Sequence, residues 1–179
     1  KRRPDILIET GTMYGGSALF FANMMDLVGH GRVISIDIAD IEDCPGYDSL
    51  VEFYPESAGL RPVHPRIQYI KGDSAEEARG LDVAGQSVMV ILDSAHDKPH
   101  VMRELATYAP LVSQGQFLVV EDTNINSHPV EWGGGDGPYE ALEEYDWEGE
   151  GFEDAHLAAA HLITYHTWLM KKEAPCLKK

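Results

Sequence analysis

The sequence is poor in cysteine, basic residues and long apolar runs, and each scarcity excludes a class of protein. Its two cysteines, Cys44 and Cys176, have no second thiol or histidine nearby at zinc-ligand spacing, which indicates free thiols in a reducing compartment. The longest strongly apolar run, residues 88–92, is far too short to span a bilayer. The basic start leads into a strand that lacks a signal-peptide core. The sequence therefore predicts a soluble, cytoplasmic protein.

Basic residues are also few relative to acidic ones. The chain has 14 Lys and Arg against 30 Asp and Glu, a net charge of −16, which opposes binding to nucleic acid or to anionic membranes and favours small molecules or cations as partners. With 179 residues, 44% of them hydrophobic, we expect one globular domain over residues 1–179. The sequence leaves open whether this domain forms a homo-oligomer.

A glycine-rich turn near the start of the chain joins a strand to a helix. Residues 5–8 are predicted to form a buried strand that Glu9 ends, and glycines allow the tight turn that follows. Ser17 is predicted to cap the helix, which would bury one apolar face: Phe20, Phe21, Met24, Met25 and Val28. Such a turn offers a site for a nucleotide-like ligand at Gly11, Gly15 and Ser17. The alternative is an ordinary strand-to-helix turn.

A second strand, residues 32–37, ends on Asp37, which lies 21 residues beyond Gly16. In nucleotide-binding βαβ units an acid about 20 residues on accepts hydrogen bonds from ribose hydroxyls. Asp37 is therefore a candidate ribose ligand; the alternative is a surface carboxylate at a strand end.

Three further strands are predicted at residues 66–70, 87–92 and 116–120, separated by helical or turn segments. Each strand is followed by polar or acidic residues, and Asp73 and Ser74 follow the first of them. Residues 162–165 and 167–170 are predicted to be antiparallel edge strands. The pattern indicates an α/β fold with a mostly parallel sheet, helices on both faces and one functional edge. Ser74 could alternatively only cap the helix that follows.

Three carboxylates are predicted to converge at that edge: Asp93, Glu121 and Asp122. Because like charges repel, a hard divalent cation explains the cluster, and magnesium or calcium fits better than zinc. The alternative is acids that face solvent at separate depths. His96, three residues beyond Asp93, is a candidate general base, and His100 could substitute for it.

Several motifs in order resemble the cephalosporin hydroxylase family. They are residues 4–11, Gly15-Gly-Ser17, Gly72-Asp-Ser74, residues 91–96, His100-Val101 with Glu104-Leu105, and residues 119–122. Members of that family look like class I S-adenosylmethionine-dependent methyltransferases, related to sugar O-methyltransferases of antibiotic biosynthesis. The resemblance implies a Rossmann-like sheet and transfer of a methyl group to a hydroxyl of a small-molecule acceptor.

The resemblance also implies a role for each candidate residue. Glu9, Gly11, Gly15 and Ser17 would surround the methionine part of S-adenosylmethionine, Asp37 would hold the ribose, and Asp73 with Ser74 would lie by the adenine. Asp93, Glu121 and Asp122 match the family's Mg²⁺ ligands, and His96 matches the base. Glu9 also favours a cationic sulfonium over a pyrophosphate.

Two departures from the family pattern qualify these expectations. The chain begins almost at its first strand, so the N-terminal helices that cover the cofactor are expected to be missing or to lie outside these 179 residues. Residues 164–167 replace the usual glycine-rich approach to the final strand, so the substrate class does not carry over. Two other functions stay open: a dinucleotide-dependent oxidoreductase, which the spacing of Gly11 and Gly15 disfavours, and an inactive methyltransferase-like binding domain.

Overall fold

The computed structural model describes residues 3–155 and 167–173, which form a seven-stranded sheet in the order β3-β2-β1-β4-β5-β7-β6. The strands are β1 (Ile6–Thr10), β2 (Arg32–Asp37), β3 (Ile67–Lys71), β4 (Val88–Leu92), β5 (Phe117–Val120), β6 (Phe152–Asp154) and β7 (Thr167–Lys171). The helices are α1 (Gly16–Val28), α2 (Tyr47–Phe53), α3 (Ser74–Glu77), α4 (Lys98–Tyr108) and α5 (Pro138–Glu144).

The first five strands run parallel, and β7 pairs antiparallel with both β5 and β6. Thr10 is in register with Leu92, and Leu92 with Val120, so β1, β4 and β5 end side by side. The loops that carry the candidate residues therefore start from one edge of the sheet. The mostly parallel sheet with an antiparallel C-terminal edge is confirmed, whereas the predicted strand at 162–165 lies outside the described residues.

Helices cover both faces of the sheet. One core packs α4 and α5 against the strands through Val101, Leu105, Tyr108 and Ala141. The other packs α1 against Leu7, Val33, Ile91 and Val119. The apolar strands predicted from the sequence are buried because helices cover both faces of the sheet. No helix in the described part of the chain combines the length and apolar character needed to cross a membrane.

The buried face of α1 was predicted correctly for Met25, and Phe21 packs partly buried against the same core, but the rest of the predicted face was wrong. Ala18, Ala22 and Met25 contact the sheet. Three of the residues predicted to be buried are instead exposed by 44–59%: Phe20, Met24 and Val28. Alanines let the helix lie close to the strands, and close packing selects small side chains over large apolar ones.

The predicted cap of α1 was also wrong. Gly15 occupies the N-cap position in a left-handed conformation (φ 79°) with no side-chain capping bond, and Ser17 lies inside the helix. The Ser17 hydroxyl acts on the buried carboxylate of Glu9 and holds the pKa of that acid down against the effect of burial. A buried acid needs donors, so Ser17 serves the strand beneath the helix instead of the helix end.

Glu140 holds the start of α5, and its substitution tests how firmly this helix is anchored. Its carboxylate accepts the Gly137 N–H at 2.7 Å and contacts His128 Nε2 at 2.6 Å, which lowers the pKa of Glu140 to about 2. A carboxyl group whose pKa is lowered by folding stabilises the protein at pH values above its pKa in the unfolded chain. This stabilisation is lost as the pH falls through the pKa of the folded state. We expect Glu140→Gln to cost about 1 kcal/mol at pH 7 and clearly less at pH 2, because the effect is lost as pH falls through the folded pKa of about 2; urea unfolding measures the difference.

The matched control is Glu143→Gln, an exposed acid on the same helix. It is expected to change stability by less than about 0.5 kcal/mol at either pH. Equal effects of the two substitutions at pH 7 would contradict the assigned role of Glu140.

Candidate functional site

A cavity of about 1070 Å³ opens where β1, β2, β3, β4 and β5 end. Most of the predicted site residues line it: Gly11, Ser17, Asp37, Asp73, Ser74, Asp93, His96 and Asp122. Glu9, Gly15 and Glu121 are not among the lining residues. The functional edge predicted from the strand ends is therefore a single pocket large enough for a nucleoside-sized ligand.

Asp37 holds the glycine turn in place. Its Oδ2 accepts the backbone N–H groups of Thr12 and Met13, each at 2.8 Å, and its Oδ1 accepts the N–H of Ala39 at 2.8 Å. Arg61 Nη2 lies 3.9 Å from Oδ2. Oδ2 already accepts two hydrogen bonds, whereas Oδ1 accepts one and keeps a lone pair, so the carboxylate can hold the turn and also accept from a ligand.

Glu9 lies beneath the turn, with only 1% of its surface exposed. Ser35 Oγ donates to its Oε2 at 2.6 Å. Burial raises the pKa of Glu9, with further contributions from the charges of Asp93 and Glu121, while the bonds to Ser17 and Ser35 oppose the rise. Glu9 therefore acts on a ligand in the cavity through lining residues, namely Ser17 and, by way of Ser35, Thr12.

The loop after β3 supplies Asp73 and Ser74. The N-cap of α3 is Asp73, not Ser74, because its carboxylate accepts the N–H groups of Ala75 and Glu76. Hydrogen bonds from Arg103 and from this backbone hold the pKa of Asp73 below its usual value, against the effect of burial. The Ser74 hydroxyl is free for another role, and it donates to Glu104.

A buried polar network connects Ser74 with the loop after β4. Glu104, which is not exposed at all, accepts from Ser74 Oγ at 2.5 Å and from Ser94 Oγ at 2.8 Å. Arg103 Nη2 lies 2.9 Å from His100 Nδ1, and Ser94 Oγ lies 2.8 Å from His100 Nε2. Since arginine can only donate, Nδ1 accepts and Nε2 carries the proton towards Ser94.

Asp93 and Asp122 converge on His96. One ligand atom from each of the three residues lies within 4.8 Å of the others, and Glu121 is not part of this group. His96 Nε2 lies 3.6 Å from Asp93 Oδ1 and 3.3 Å from Asp122 Oδ2. The Asp93 carboxylate raises the pKa of His96, Asp122 adds to the rise, and burial opposes it.

The structure separates the two candidate bases. His96 Nε2 is buried and has no hydrogen-bond partner within residues 3–155 and 167–173, so it is available to a ligand. His100 is engaged on both ring nitrogens, by Ser94 and Arg103. His96 is therefore the histidine placed to act on a group bound between Asp93 and Asp122.

Sequence reasoning missed several residues of the site: Ser94, Arg61, Arg103, Glu104 and Trp132. A signal for Glu104 was present, because it lies three residues after Val101 and four before Tyr108, on the buried face of α4. An acid on a buried face predicts a polar partner inside the fold. Trp132 lies in a loop, and the sequence of a loop has no hydrophobic repeat from which its position in the fold could be predicted.

Comparisons with known proteins identify related sequences. Residues 1–171 match the family model described as rhamnosyl O-methyltransferase/CmcI. A rhamnosyl O-methyltransferase of Mycobacterium tuberculosis is 38% identical over 149 residues, which cover 82% of this chain and 57% of the relative. The Mycobacterium leprae enzyme of the same description is 38% identical over 151 residues, covering 83% and 61%. The chain thus spans roughly three-fifths of the length of these relatives.

Solved structures share the fold at low sequence identity. The TDP-rhamnose 3'-O-methyltransferase of calicheamicin biosynthesis superposes with a TM-score of 0.62 at 15% identity, covering 95% of this chain and 72% of that one. The MycE methyltransferase of the mycinamycin pathway gives a TM-score of 0.57 at 19% identity, covering 99% and 47%. The Rossmann-like methyltransferase fold expected from the sequence is confirmed.

Proposed function

The chain belongs to the rhamnosyl O-methyltransferase/CmcI family, and from that premise we propose that it is an S-adenosylmethionine-dependent O-methyltransferase. The acceptor is a hydroxyl of a small molecule, a sugar or a sugar-bearing natural product. One observation carries the proposal: a single cavity contains a glycine turn held by Asp37 and, at another of its walls, the group of Asp93, His96 and Asp122. Cofactor and acceptor would therefore meet in the same cavity.

The cofactor occupies the part of the cavity beside the glycine turn. Gly11 and Ser17 lie by its methionine part, and Asp37 receives a ribose hydroxyl on Oδ1, the oxygen with one bond in place. Asp73 and Ser74 lie by the adenine, where the cap of α3 and the bond to Glu104 fix them. This order follows the order of the strands β1, β2 and β3 across the sheet.

The donor set at the other wall fits a hard divalent cation such as Mg²⁺. Asp93 and Asp122 offer carboxylate oxygens, and the unpartnered buried nitrogen of His96 lies beside them. When bound, the ion would lower the pKa of the acceptor hydroxyl and orient it. Calcium fits the same oxygen donors, whereas no cysteine lies in the group.

His96 acts as the base. The acceptor oxygen forms a bond to the methyl carbon as the carbon–sulfur bond breaks, which leaves S-adenosylhomocysteine, and the hydroxyl proton passes to His96 Nε2. Asp93 and Asp122 stabilise the imidazolium that results, because both carboxylates lie within 3.6 Å of that nitrogen. Holding the reactants in line is the other main contribution of the protein.

Asp37→Ala is expected to weaken S-adenosylmethionine binding at least about tenfold, because it removes a ribose acceptor and the anchor of the turn. Isothermal titration calorimetry measures the change. Asp40→Ala is the matched control: this acid lies three residues on, pairs with Lys71 and does not line the cavity. The control is expected to bind within about twofold of the wild type. Equal affinities for all three proteins would refute the assignment of Asp37.

The proposed function is tested by methyl transfer from labelled S-adenosylmethionine to a panel of glycosides and phenols, with Mg²⁺ or with a chelator. Transfer to a glycoside that the chelator abolishes is the expected result. Cofactor binding without transfer to any member of the panel would support the inactive binding domain instead.

A further inference from the structure

One aromatic side chain of the cavity has no role in the steps above. Trp132 lines the cavity, and 59% of its surface is exposed. Its ring meets the ring of His96 edge to face, with centroids 5.9 Å apart and planes at 66°. Trp132 therefore lies at the wall where the acceptor hydroxyl must be placed, and most of its indole is left for a ligand to cover.

The loop that carries Trp132 is held by backbone hydrogen bonds. Asn126 N–H donates to the carbonyl of Trp132 at 3.3 Å, and Ser127 N–H donates to Val130 at 2.9 Å. Further along, the N–H of Lys98 donates to the carbonyl of Asp136 at 3.0 Å, which ties the loop to the start of α4. The indole is thus presented by a structured segment, which reduces the entropy lost when a ligand packs on it.

The stretch of chain that contributes Asp122 and Trp132 to this wall is acidic in sequence. No Lys or Arg occurs between Arg103 and Lys171, whereas the same stretch contains 13 Asp and Glu residues. Among the lining residues Arg103 is the single Lys or Arg, and it contacts Asp73 near the adenine end. Lys98, which is near the loop, pairs with Asp136 and Glu144. A diphosphate brought to this wall would meet no lysine or arginine of the cavity lining other than Arg103, and the two carboxylates of Asp93 and Asp122 would offset the charge of a divalent ion bound between them.

We propose that Trp132 packs against the ring of the acceptor, and that the acidic wall restricts this acceptor to an uncharged glycoside instead of a nucleotide-linked sugar. The inference rests on the proposed O-methyltransferase function. A sugar ring offers one face of C–H groups, and covering that face with an indole removes apolar surface from water. Hydroxyls on the ring edge remain available to His96 and the carboxylates.

The test compares kcat and KM for a neutral rhamnoside and for TDP-rhamnose. The wild type is expected to prefer the neutral glycoside at least about tenfold in kcat/KM at low salt, and the preference falls as salt screens the wall. Trp132→Ala is expected to raise KM for the glycoside about tenfold with kcat less affected, while Trp132→Phe keeps most of the affinity. Phe20→Ala, which removes an equally exposed aromatic outside the cavity, is expected to leave both constants unchanged.

The outcomes separate the two claims. If the wild type transfers the methyl group but Trp132→Ala has an unchanged KM for the glycoside, the inference is overturned and the proposed function stands. The same holds if the wild type prefers TDP-rhamnose. S-adenosylmethionine affinity, measured by calorimetry, is expected to be the same in Trp132→Ala and the wild type; a parallel loss would show that the substitution disturbs the whole cavity and would also overturn the inference. Absence of transfer to either acceptor and to phenols overturns the proposed function and the inference together.

Discussion

Asp93→Asn is expected to lower kcat by about a hundredfold to a thousandfold while S-adenosylmethionine affinity changes by less than about threefold. The substitution keeps the shape of the side chain but removes the charge shared with Asp122 and His96. The backbone of Asp93 is held independently, because its N–H donates to the carbonyl of Thr10 at 3.1 Å. The fold and the cofactor end of the cavity are therefore expected to persist, and steady-state kinetics with calorimetry separates the two effects.

Asp82→Asn provides the matched control. Asp82 is an exposed acid in the segment before β4, away from the edge where the strands end. It is expected to leave kcat within about twofold of the wild type. If kcat for Asp93→Asn were within tenfold of the value for that control, the Asp93 carboxylate would have no role in catalysis.

Gly11→Ala is expected to destabilise the protein by about 4 kcal/mol and to lower Tm by about 10 °C. Gly11 adopts a φ of +81°, and an added Cβ would lie 1.8 Å from the carbonyl oxygen of Asp93 and 2.6 Å from its carbonyl carbon. The turn after β1 and the loop after β4 would have to separate to admit the methyl group. Because both segments line the cavity, cofactor binding is expected to be lost as well.

Gly85→Ala isolates the backbone part of this cost. Gly85 also has a positive φ, +72°, but an added Cβ there would meet nothing within 4 Å. Its destabilisation is expected to be about 1 kcal/mol, the cost of a left-handed conformation alone. Thermal unfolding of both variants compares them directly, and equal Tm values would show that the close approach of Gly11 and Asp93 costs nothing.

Local signals were sufficient to predict most of the scaffold. The apolar run of β2 was predicted with the bounds Arg32–Asp37 that the structure has, and the face of α4 with Val101, Leu105 and Tyr108 was correct. Parallel strands then bring their ends to one edge, so the meeting of Asp93 and Asp122 followed from topology. These predictions depended on periodicity and chain order, which a single sequence contains.

Features that depend on packing could not be predicted in the same way. The size of Phe20 and Met24 favoured burial, but Ala18, Ala22 and Met25 are the residues of α1 that are buried against the sheet. Glu121 follows β5 directly, yet its charge acts on Glu9 and it does not join the group at His96. Which way a side chain leaves a strand end depends on the twist of the sheet and on neighbouring loops.

The central claim is that the cofactor binds in the same cavity as the acceptor and the metal ion that orients the acceptor hydroxyl. A crystal structure with S-adenosylhomocysteine, Mg²⁺ and a neutral glycoside tests this claim most directly. The claim predicts the ion about 2.1 Å from oxygens of Asp93 and Asp122, and an acceptor hydroxyl between the ion and the sulfur, within reach of His96 Nε2. Asp37 would bond the ribose of the same ligand. An ion bound elsewhere, or a cofactor whose sulfur faces away from Asp93 and Asp122, would contradict the claim.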